Sequence, residues 1–462
     1  MGRRRKNLIS IVKLLKPEIE ELLKNKNYRE LKDVIINWEP ADIAELLDEL
    51  EKEEAIRIFL MLPKNLQVEV FSEFDGETQK KIIESLKDEE IKTIISGLAP
   101  DDRTSLFEEI APNLTRKLLD FLSPNERREA LTLLGYPKNS VGRLMTPDYV
   151  AIKPEWTIKK AIEHIRKYGK DAETINMIYV VDDDFHLVDD IPLRRIILSE
   201  PEQKVEEIMD FQFISISPYE DQEKAIEIMK KYNLVALPVT DNDNYLLGIV
   251  TIDDIIDVME EEQTEDITKI SAIHPTPVGL ELITKIKEIP IIKLYKSRVV
   301  WLLFLLLMDL FTGGIIQSFE QTIAKYVVLV TFLPVVIDTA GNAGSQSATL
   351  VIRAMALKTV EIKDWLYLLL REIAVSFFLG ITMGIGISFM GLIRSGSIKV
   401  AVVVVVAMIL NVIAGCVIGI LLPFLFAKFK KDPATASTPL ITTLADIIGT
   451  AIYLGTATIF LI

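Results

Sequence analysis

Thr442-Thr443-Leu444-Ala445-Asp446-Ile447-Ile448-Gly449-Thr450 places a carboxylate inside the last hydrophobic run of the chain. At membrane depth such a group costs about 3 kcal/mol or more unless a cation, water or a partner compensates it. No Lys or Arg occurs from Pro433 to Ile462 to pair with it locally. The stretch therefore reads as part of a cation pathway. It also decides the fold, because its run is one of five. Apolar stretches occur at about 299–319, 326–352, 366–393, 400–427 and 439–462. Each reaches the roughly 20 residues that a helix needs to cross a bilayer.

Basic residues orient these spans. Lys293, Lys296 and Arg298 precede the first, Arg353, Lys358 and Lys363 join the second to the third, and Lys428, Lys430 and Lys431 precede the fifth. The opposite loops carry only Lys325, then Arg394 and Lys399. The excess of positive charge predicts a cytoplasmic N-terminus, a C-terminus outside and a multi-pass protein of the cell membrane. Gly313-Gly314, Gly380/Gly384/Gly386 and Gly415/Gly419 predict close helix contacts. The second span holds Gly341-Asn342-Ala343-Gly344-Ser345-Gln346-Ser347 and a further acid, Asp338. There Pro334, Gly341 and Gly344 are expected to break or loosen the helix and turn carbonyls toward a water-filled path. The bland alternative is a polar contact between helices.

The rest of the chain is charged. Of its 52 basic and 67 acidic side chains, only ten and eight lie after Arg298, so the first 298 residues carry the whole net negative charge. That surface repels nucleic acid and attracts cations, although acidic surfaces commonly serve solubility alone. A single cysteine, Cys416, excludes an intrachain disulfide and reads as a packing residue in an apolar span. Met1-Gly-Arg-Arg-Arg-Lys6 resembles the start of a signal peptide, but Lys13 interrupts the apolar stretch too early for cleavage to be expected.

From Glu39 to about Leu134 short amphipathic helices are expected about twelve residues apart. Asp75–Leu86, Lys87–Leu98 and Ala99–Ile110 each place a polar capping segment before an apolar pair. Such a pattern predicts a helical superhelix of stacked units, which presents a surface. After Pro137 one unit occurs twice, about 65 residues apart. Val141-Gly-Arg-Leu-Met-Thr-Pro147 leads to a helix from Thr157 and to Ile178-Tyr-Val-Val-Asp182; Val205-Glu-Glu-Ile-Met-Asp210 leads to a helix from Glu220, to Ala236-Leu-Pro-Val-Thr-Asp241 and to Leu247–Asp254. The pair resembles tandem CBS domains, each a small sheet with two helices. In the second copy Gly248-Ile-Val-Thr251 is followed by Asp254, whereas Asp189-Asp-Ile-Pro-Leu-Arg-Arg195 of the first copy departs from that ending. The resemblance makes an adenine nucleotide such as ATP a candidate ligand, with Thr251 and Asp254 at the positions that contact ribose.

Asp253, Asp254, Asp257, Glu260, Glu261, Glu262, Glu265 and Asp266 follow within fourteen residues without a base. Like charges three and four apart repel on a helix, and hard divalent cations, which prefer carboxylates and water, would relieve them. A solvated acidic face is the ordinary alternative. Asp101, Asp102, Asp221 and Glu223 are further acids available to face this group. His164, His186 and His274 are isolated and form no transition-metal spacing. A helix over Glu281–Ile289 is expected to link the soluble part to the first span, as an inert linker or as a mechanical coupler.

A helical N-domain (1–136), tandem CBS domains (137–262), a connecting helix (263–297) and five spans (298–462) together resemble the MgtE family of magnesium channels. The fold class is then an α-helical membrane protein with a cytoplasmic all-α superhelical N-domain and an α/β CBS pair. The resemblance covers nearly the whole chain, and its specific motifs are Gly-Asn-Ala-Gly-Ser-Gln-Ser-Ala-Thr-Leu at 341–350 and Asp432-Pro-Ala…Pro439-Leu-Ile-Thr-Thr-Leu-Ala-Asp446. It implies a homodimer whose pore is lined by the second and fifth spans. Asp446 from each subunit would bind a largely hydrated Mg2+, Thr442 would supply an oxygen, Gly341 and Asn342 would line the path, and Asp432 would sit at the cytoplasmic mouth. It also implies regulation: cytosolic Mg2+ bound among Asp254, Asp257, Glu262, Glu265, Asp266 and acids such as Asp101 would draw the modules together. The helix around Leu282–Pro290 would then hold the pore shut. Ser345 and Thr438 stand where the family commonly has Asn and another polar amide, a departure that bears on ion preference.

Two rivals come from the same residues. Another divalent ion, Co2+ or Ca2+, or coupling to protons or sodium, fits an intramembrane carboxylate as well. A CBS-regulated membrane enzyme fits poorly, because the spans hold no His and Asp309, Asp338 and Asp446 lie on separate helices without a nucleophile–base arrangement. A membrane-anchored scaffold would leave Asp446 and the glycine–amide motif unexplained.

Overall fold

The computed structural model describes residues 11–25, 27–272 and 289–462. Most of the connecting helix expected around Leu282–Pro290, and His274, lie outside the described residues. Contacts divide the chain into two units, Met1–Met259 and Glu260–Ile462.

The first unit begins with helices at Ile11–Lys24 and Tyr28–Ile35, followed by eight short helices. Those eight start at Pro40, Lys52, Lys64, Gly76, Asp88, Pro100, Pro112 and Pro124, each twelve residues after the last. Proline opens four of them at the first turn, where its missing N–H costs nothing. Ser123 and Glu126 form a reciprocal capping box at the last. Ten or fewer residues cannot hold a helix in water alone, so tertiary burial has to do it. The pairs Leu46/Leu47, Ile58/Phe59, Val70/Phe71, Ile82/Ile83, Ile94/Ile95 and Leu106/Phe107 recur at the same interval and are all buried in one core. A second buried series, Leu62, Phe74, Leu86, Leu98, Ile110 and Leu122, follows each helix end.

The CBS repeats follow. In the first, β1 (Ala151–Ile152) runs parallel to β2 (Met177–Val181), which pairs antiparallel with β3 (Leu187–Pro192). In the second, β4 (Ala236–Thr240) pairs antiparallel with β5 (Leu246–Thr251), and Ile216 bridges to Val239 in parallel as Ile152 does to Val180. Helices Ile158–Tyr168 and Gln222–Tyr232 cover the two sheets. The weak ending of the first copy has a structural cause. Asp189 occupies the register position of Gly248, opposite Val180 as Gly248 is opposite Val239. A side chain at Gly248 would meet the Thr146 carbonyl at 2.7 Å. Asp189 instead has room, is buried, and accepts hydrogen bonds from the backbone N–H groups of Asp210 (2.8 Å) and Phe211 (3.2 Å). It has become a clasp on the linker between repeats.

The second unit holds the end of the helix Ile252–Ile270 and five long apolar helices, Ile291–Ser318, Leu333–Ala356, Trp365–Ser395, Ile398–Lys428 and Thr438–Leu461. The second is one unbroken helix, contrary to the loosening expected from its Pro and Gly residues. Pro334 lies in its first turn, where proline is tolerated, and a 3-10 turn, Val327–Thr331, leads into it. Its glycines serve packing. The fourth span is the hub: a Cβ on Gly415 would lie 2.2 Å from the Ala340 carbonyl oxygen, and one on Gly419 would lie 2.0 Å from that of Gly344. Gly380 and Gly384 of the third span meet Ile409 and Val405 in the same way, whereas Gly313, Gly314 and Gly386 face open space. Without a hydrophobic drive between helices in lipid, such backbone approach is what holds them. Tyr453, wholly buried, donates its hydroxyl to the Leu329 carbonyl at 2.9 Å and ties the fifth span to the entry of the second.

Overpacking against side chains costs about 1–3 kcal/mol, and here the obstacle is backbone. Gly419→Ala is expected to lower the temperature at which the sole cysteine, the buried Cys416, becomes reactive to a thiol reagent, while Gly386→Ala leaves it unchanged. Equal melting of the two variants would contradict the packing described here.

Candidate functional site

Three intramembrane carboxylates converge. Asp309 of the first span, Asp338 of the second and Asp446 of the fifth line one cleft of about 390 Å³, together with Thr312, Gly313, Pro334 and Ile337. Its lining contains no base. Asp446 is half-buried and stands in the field of both other acids. Asp338 accepts a hydrogen bond from the Asn342 amide at 3.1 Å, one turn along its own helix. The sequence reads Asp309 as a charge on a separate helix; the packing of the first span beside the fifth brings it to Asp446.

Around Asp446, Gly341 and Thr442 have contacts of their own. Gly341 is buried, and its Cα faces Thr442: an added Cβ would touch the Thr442 methyl at 3.2 Å. Gly341 thus permits close approach of the second and fifth spans and does not itself border the cleft. The Thr442 hydroxyl donates to the Pro439 carbonyl at 2.9 Å, within its own first turn. Asn342 is exposed on the same helix as Asp338 and reaches the path through that carboxylate.

A carboxylate that the sequence reading passed over lies on the third span. The Ser347 hydroxyl is 2.5 Å from Glu372 Oε1 and 3.0 Å from the Ala343 carbonyl, and Cys416 borders both Ser347 and Glu372. The Ser-Gln-Ser motif therefore contributes an interhelical polar contact on the far side of the helix. Its signal was the acid at 372 inside a run otherwise uncharged apart from Arg371.

Asp432 caps the turn that opens the fifth span: its Oδ1 accepts the Ala434 N–H at 2.8 Å. Its Oδ2 receives the Lys269 ammonium at 2.6 Å, and the same ammonium holds Glu265 at 2.6 Å. Burial first, then the nearby Asp432 charge, pushes Asp266 above the usual carboxylate range, with Lys269 and Arg353 acting against that rise. Ile270 packs with Ala348, Ile352, Ala434, Ala436 and Ile441 at the same place. Glu265 and Asp266, expected to group with Asp254 and Asp101, instead lie beside Asp432, around a lysine.

In the first unit a denser group forms. Asp101 and Asp102, in the first turn of the helix Pro100–Glu109, meet Asp253, Asp254 and Asp257 of the helix Ile252–Ile270, with Glu173 of the first CBS repeat beside them. Burial, followed by these like charges, raises Asp102 to about 6 and Asp254 to about 7, and holds Asp101 well above its ordinary value. Glu73 is raised by burial and by Asp257, and Glu173 by burial and by Asp253. Asp101 is almost fully buried and its Oδ1 has no hydrogen-bond partner. Sequence reasoning found Asp101, Asp102, Asp254 and Asp257 but missed Glu73 and Glu173, which lie in unrelated segments. Asp221 and Glu223 are not among the leading charges on Asp101, Asp102 or Asp254, and Asp221 caps its own helix by accepting the Glu223 N–H at 2.9 Å. Thr251 donates to Asp254 at 2.9 Å, so the pair assigned to ribose is engaged with itself and with the acid group.

The donors suit a hard divalent cation: carboxylate oxygens, partly desolvated. Among the described residues, however, no three His, Cys, Asp or Glu side chains close on a common point as a finished metal cage would.

Comparison with known proteins places the chain. The family described as "Divalent cation transporter" (MgtE) matches residues 333–456, the MgtE intracellular N domain matches 38–139, and CBS domains match 141–199 and 205–261. The magnesium transporter MgtE of Thermus thermophilus is 37% identical over 330 residues, covering 71% of this chain and 72% of its own. The magnesium transporter MgtE of Bacillus subtilis is also 37% identical, over 329 residues and 71% of each chain. The crystal structure of the cytosolic domain of the Mg2+ channel MgtE in complex with ATP superposes with a TM-score of 0.50 at 33% identity, covering 52% of this chain and 98% of that one. With its apolar helices, its CBS pair and its helical repeat in that order, the chain belongs to the MgtE family of magnesium transporters.

Proposed function

We propose that this transporter is a homodimeric Mg2+ channel of the cell membrane, with its N-terminus in the cytoplasm and its C-terminus outside. The observation that carries this reading is the base-free cleft of Asp309, Asp338 and Asp446. Mg2+ sheds its water reluctantly and favours carboxylates reached through that water. A cleft of acids on the dimer axis would therefore pass the ion largely hydrated, with Asp446 of each subunit as the principal site. Asp432 stands at the cytoplasmic end of the path and collects ions at its mouth.

Regulation follows from the acids outside the membrane. Cytosolic Mg2+ binds the form in which Asp101, Asp102, Asp254, Asp257, Glu73 and Glu173 lie together, and Glu262, Glu265 and Asp266 extend the acidic surface toward the pore. The ion stabilises that closed form only by its differential affinity for it. When cytosolic Mg2+ falls, repulsion separates the acids and the path opens. An adenine nucleotide is a second proposed ligand of the CBS pair, supported by the ATP complex of the related cytosolic domain. Binding at Thr251 would have to release the hydrogen bond to Asp254, which links the nucleotide to the acid group.

Asp446→Asn in liposomes is expected to cut Mg2+ flux about ten-fold, equivalent to about 1.4 kcal/mol, and to change the competition by Ca2+ and Co2+. Undiminished flux would remove Asp446 from the path. A pH effect tests the sensor. Acids with raised folded values bind more protons folded than unfolded, so stability falls as pH rises. For Asp254 and Asp102 that loss runs from about pH 4 to about pH 7. Without Mg2+, the protection factors of amides in helix Pro100–Glu109 of the full chain, with the intrinsic pH dependence of exchange divided out, should be higher at pH 5.5 than at pH 8, and added Mg2+ should abolish the difference. Equal protection at both pH values would show that the acids do not repel one another in the folded protein.

A further inference from the structure

The ammonium of Lys269 lies between the carboxylates of Glu265 and Asp432. Glu265 is its neighbour one helical turn back, a pairing that by itself contributes only a few tenths of a kcal/mol. Asp432 lies 163 residues further along the chain, yet both contacts are 2.6 Å. The partners are fixed from the other side. Asp432 is held by its cap to Ala434, and Ile270, next to Lys269, is packed on Ala348, Ala434 and Ile441. Asp266 stands close by with Arg353 in its field, so the three acids at this mouth carry two bases among them.

From this geometry we infer that Lys269 is a built-in competitor that sets the cytosolic Mg2+ concentration at which the mouth of the path is closed. The inference rests on the regulatory reading proposed above and concerns its threshold. A lysine ammonium is a compact point charge with three donors, so it neutralises two carboxylates without chelating them. Because it is tethered, its effective concentration at Asp432 does not depend on the solution. Mg2+ binds Glu265, Asp266 and Asp432 together only by displacing it. The cost of displacement raises the Mg2+ level required and keeps the path open at low cation concentration.

The test uses the full-length protein. Mn2+ binding, followed by the loss of the free-ion electron paramagnetic resonance signal, is compared in wild type, Lys269→Gln, Lys269→Arg and the double variant Lys269→Gln/Asp432→Asn. Lys269→Gln should lower the half-filling concentration of one site about five-fold, the scale of a single partly exposed ion pair. Lys269→Arg keeps the charge and should stay near wild type, and Asp432→Asn in the Gln background should erase the gain. In liposomes the cytosolic Mg2+ that halves the flux should fall in parallel for Lys269→Gln. Unchanged or weakened Mn2+ binding in Lys269→Gln, or a gain that survives Asp432→Asn, overturns the inference. A wild-type flux indifferent to cytosolic Mg2+ would instead overturn the regulatory reading, and the Mn2+ arm would still decide the role of Lys269.

Discussion

A carboxylate taken out of water with no base beside it must receive a cation, a proton or a water, and that requirement organises both ends of this molecule. In the membrane it falls on Asp309, Asp338 and Asp446, which share one cleft without a Lys, Arg or His in its lining. In the first unit it falls on Asp101, Asp102 and Asp254, whose leading charged neighbours are all acids. Helices that bring such groups together work against their mutual repulsion, at an energy that depends on how much water remains. A fold selected only for stability would have no use for them, since replacing buried charges with well-packed apolar groups commonly stabilises. The expense is intelligible when a divalent cation is the missing partner.

The membrane acids can be held in this position because the helices that bear them are set by backbone contact. Gly415 and Gly419 let the fourth span touch the carbonyls of Ala340 and Gly344, which fixes the second span one turn beyond Asp338. Gly341 lets Thr442 approach, which sets the fifth span against the second. Gly449, one turn after Asp446, receives the wholly buried Asn411 from the fourth span: a Cβ there would lie 2.5 Å from Asn411 Oδ1. Together these glycines place Asp338 and Asp446 at one depth, so that the charge in the cleft is a consequence of packing elsewhere.

What was legible in the sequence, and what was not, follows from how far each interaction reaches along the chain. The twelve-residue repeat was legible because successive helices bury the same two positions, so the pattern is local and written six times. Asp446 was legible because cost in lipid depends on the residue and its span alone. Gly341 was misread because glycine carries two signals, freedom to bend and absence of a side chain, and only the neighbouring Thr442 decides between them. Glu73 and Glu173 were missed because nothing near either residue reports the other acids they meet. Asp221 is ambiguous for the opposite reason: an acid before a helix is as readily a cap, and its carboxylate accepts the Glu223 N–H. The place of Lys269 was invisible for want of any local trace of Asp432, although its pair with Glu265 is plain at four residues' spacing.

The two acid groups outside the membrane differ in one respect that matters for a graded response. Around Asp101, Asp102 and Asp254 the leading charges are uniformly negative, so protons and free cations are the natural neutralising agents. At the mouth, Lys269 and Arg353 already supply positive charge to Glu265, Asp266 and Asp432. A free divalent ion gains its full attraction at the first group and only the difference between itself and an ammonium at the second. On the proposed reading the first group therefore fills at lower Mg2+ and the mouth at higher. Closure then needs two occupancies, and a dependence on two unequal sites is broader than one on two equal sites. Flux on that reading declines gradually over a wide span of Mg2+ before it stops.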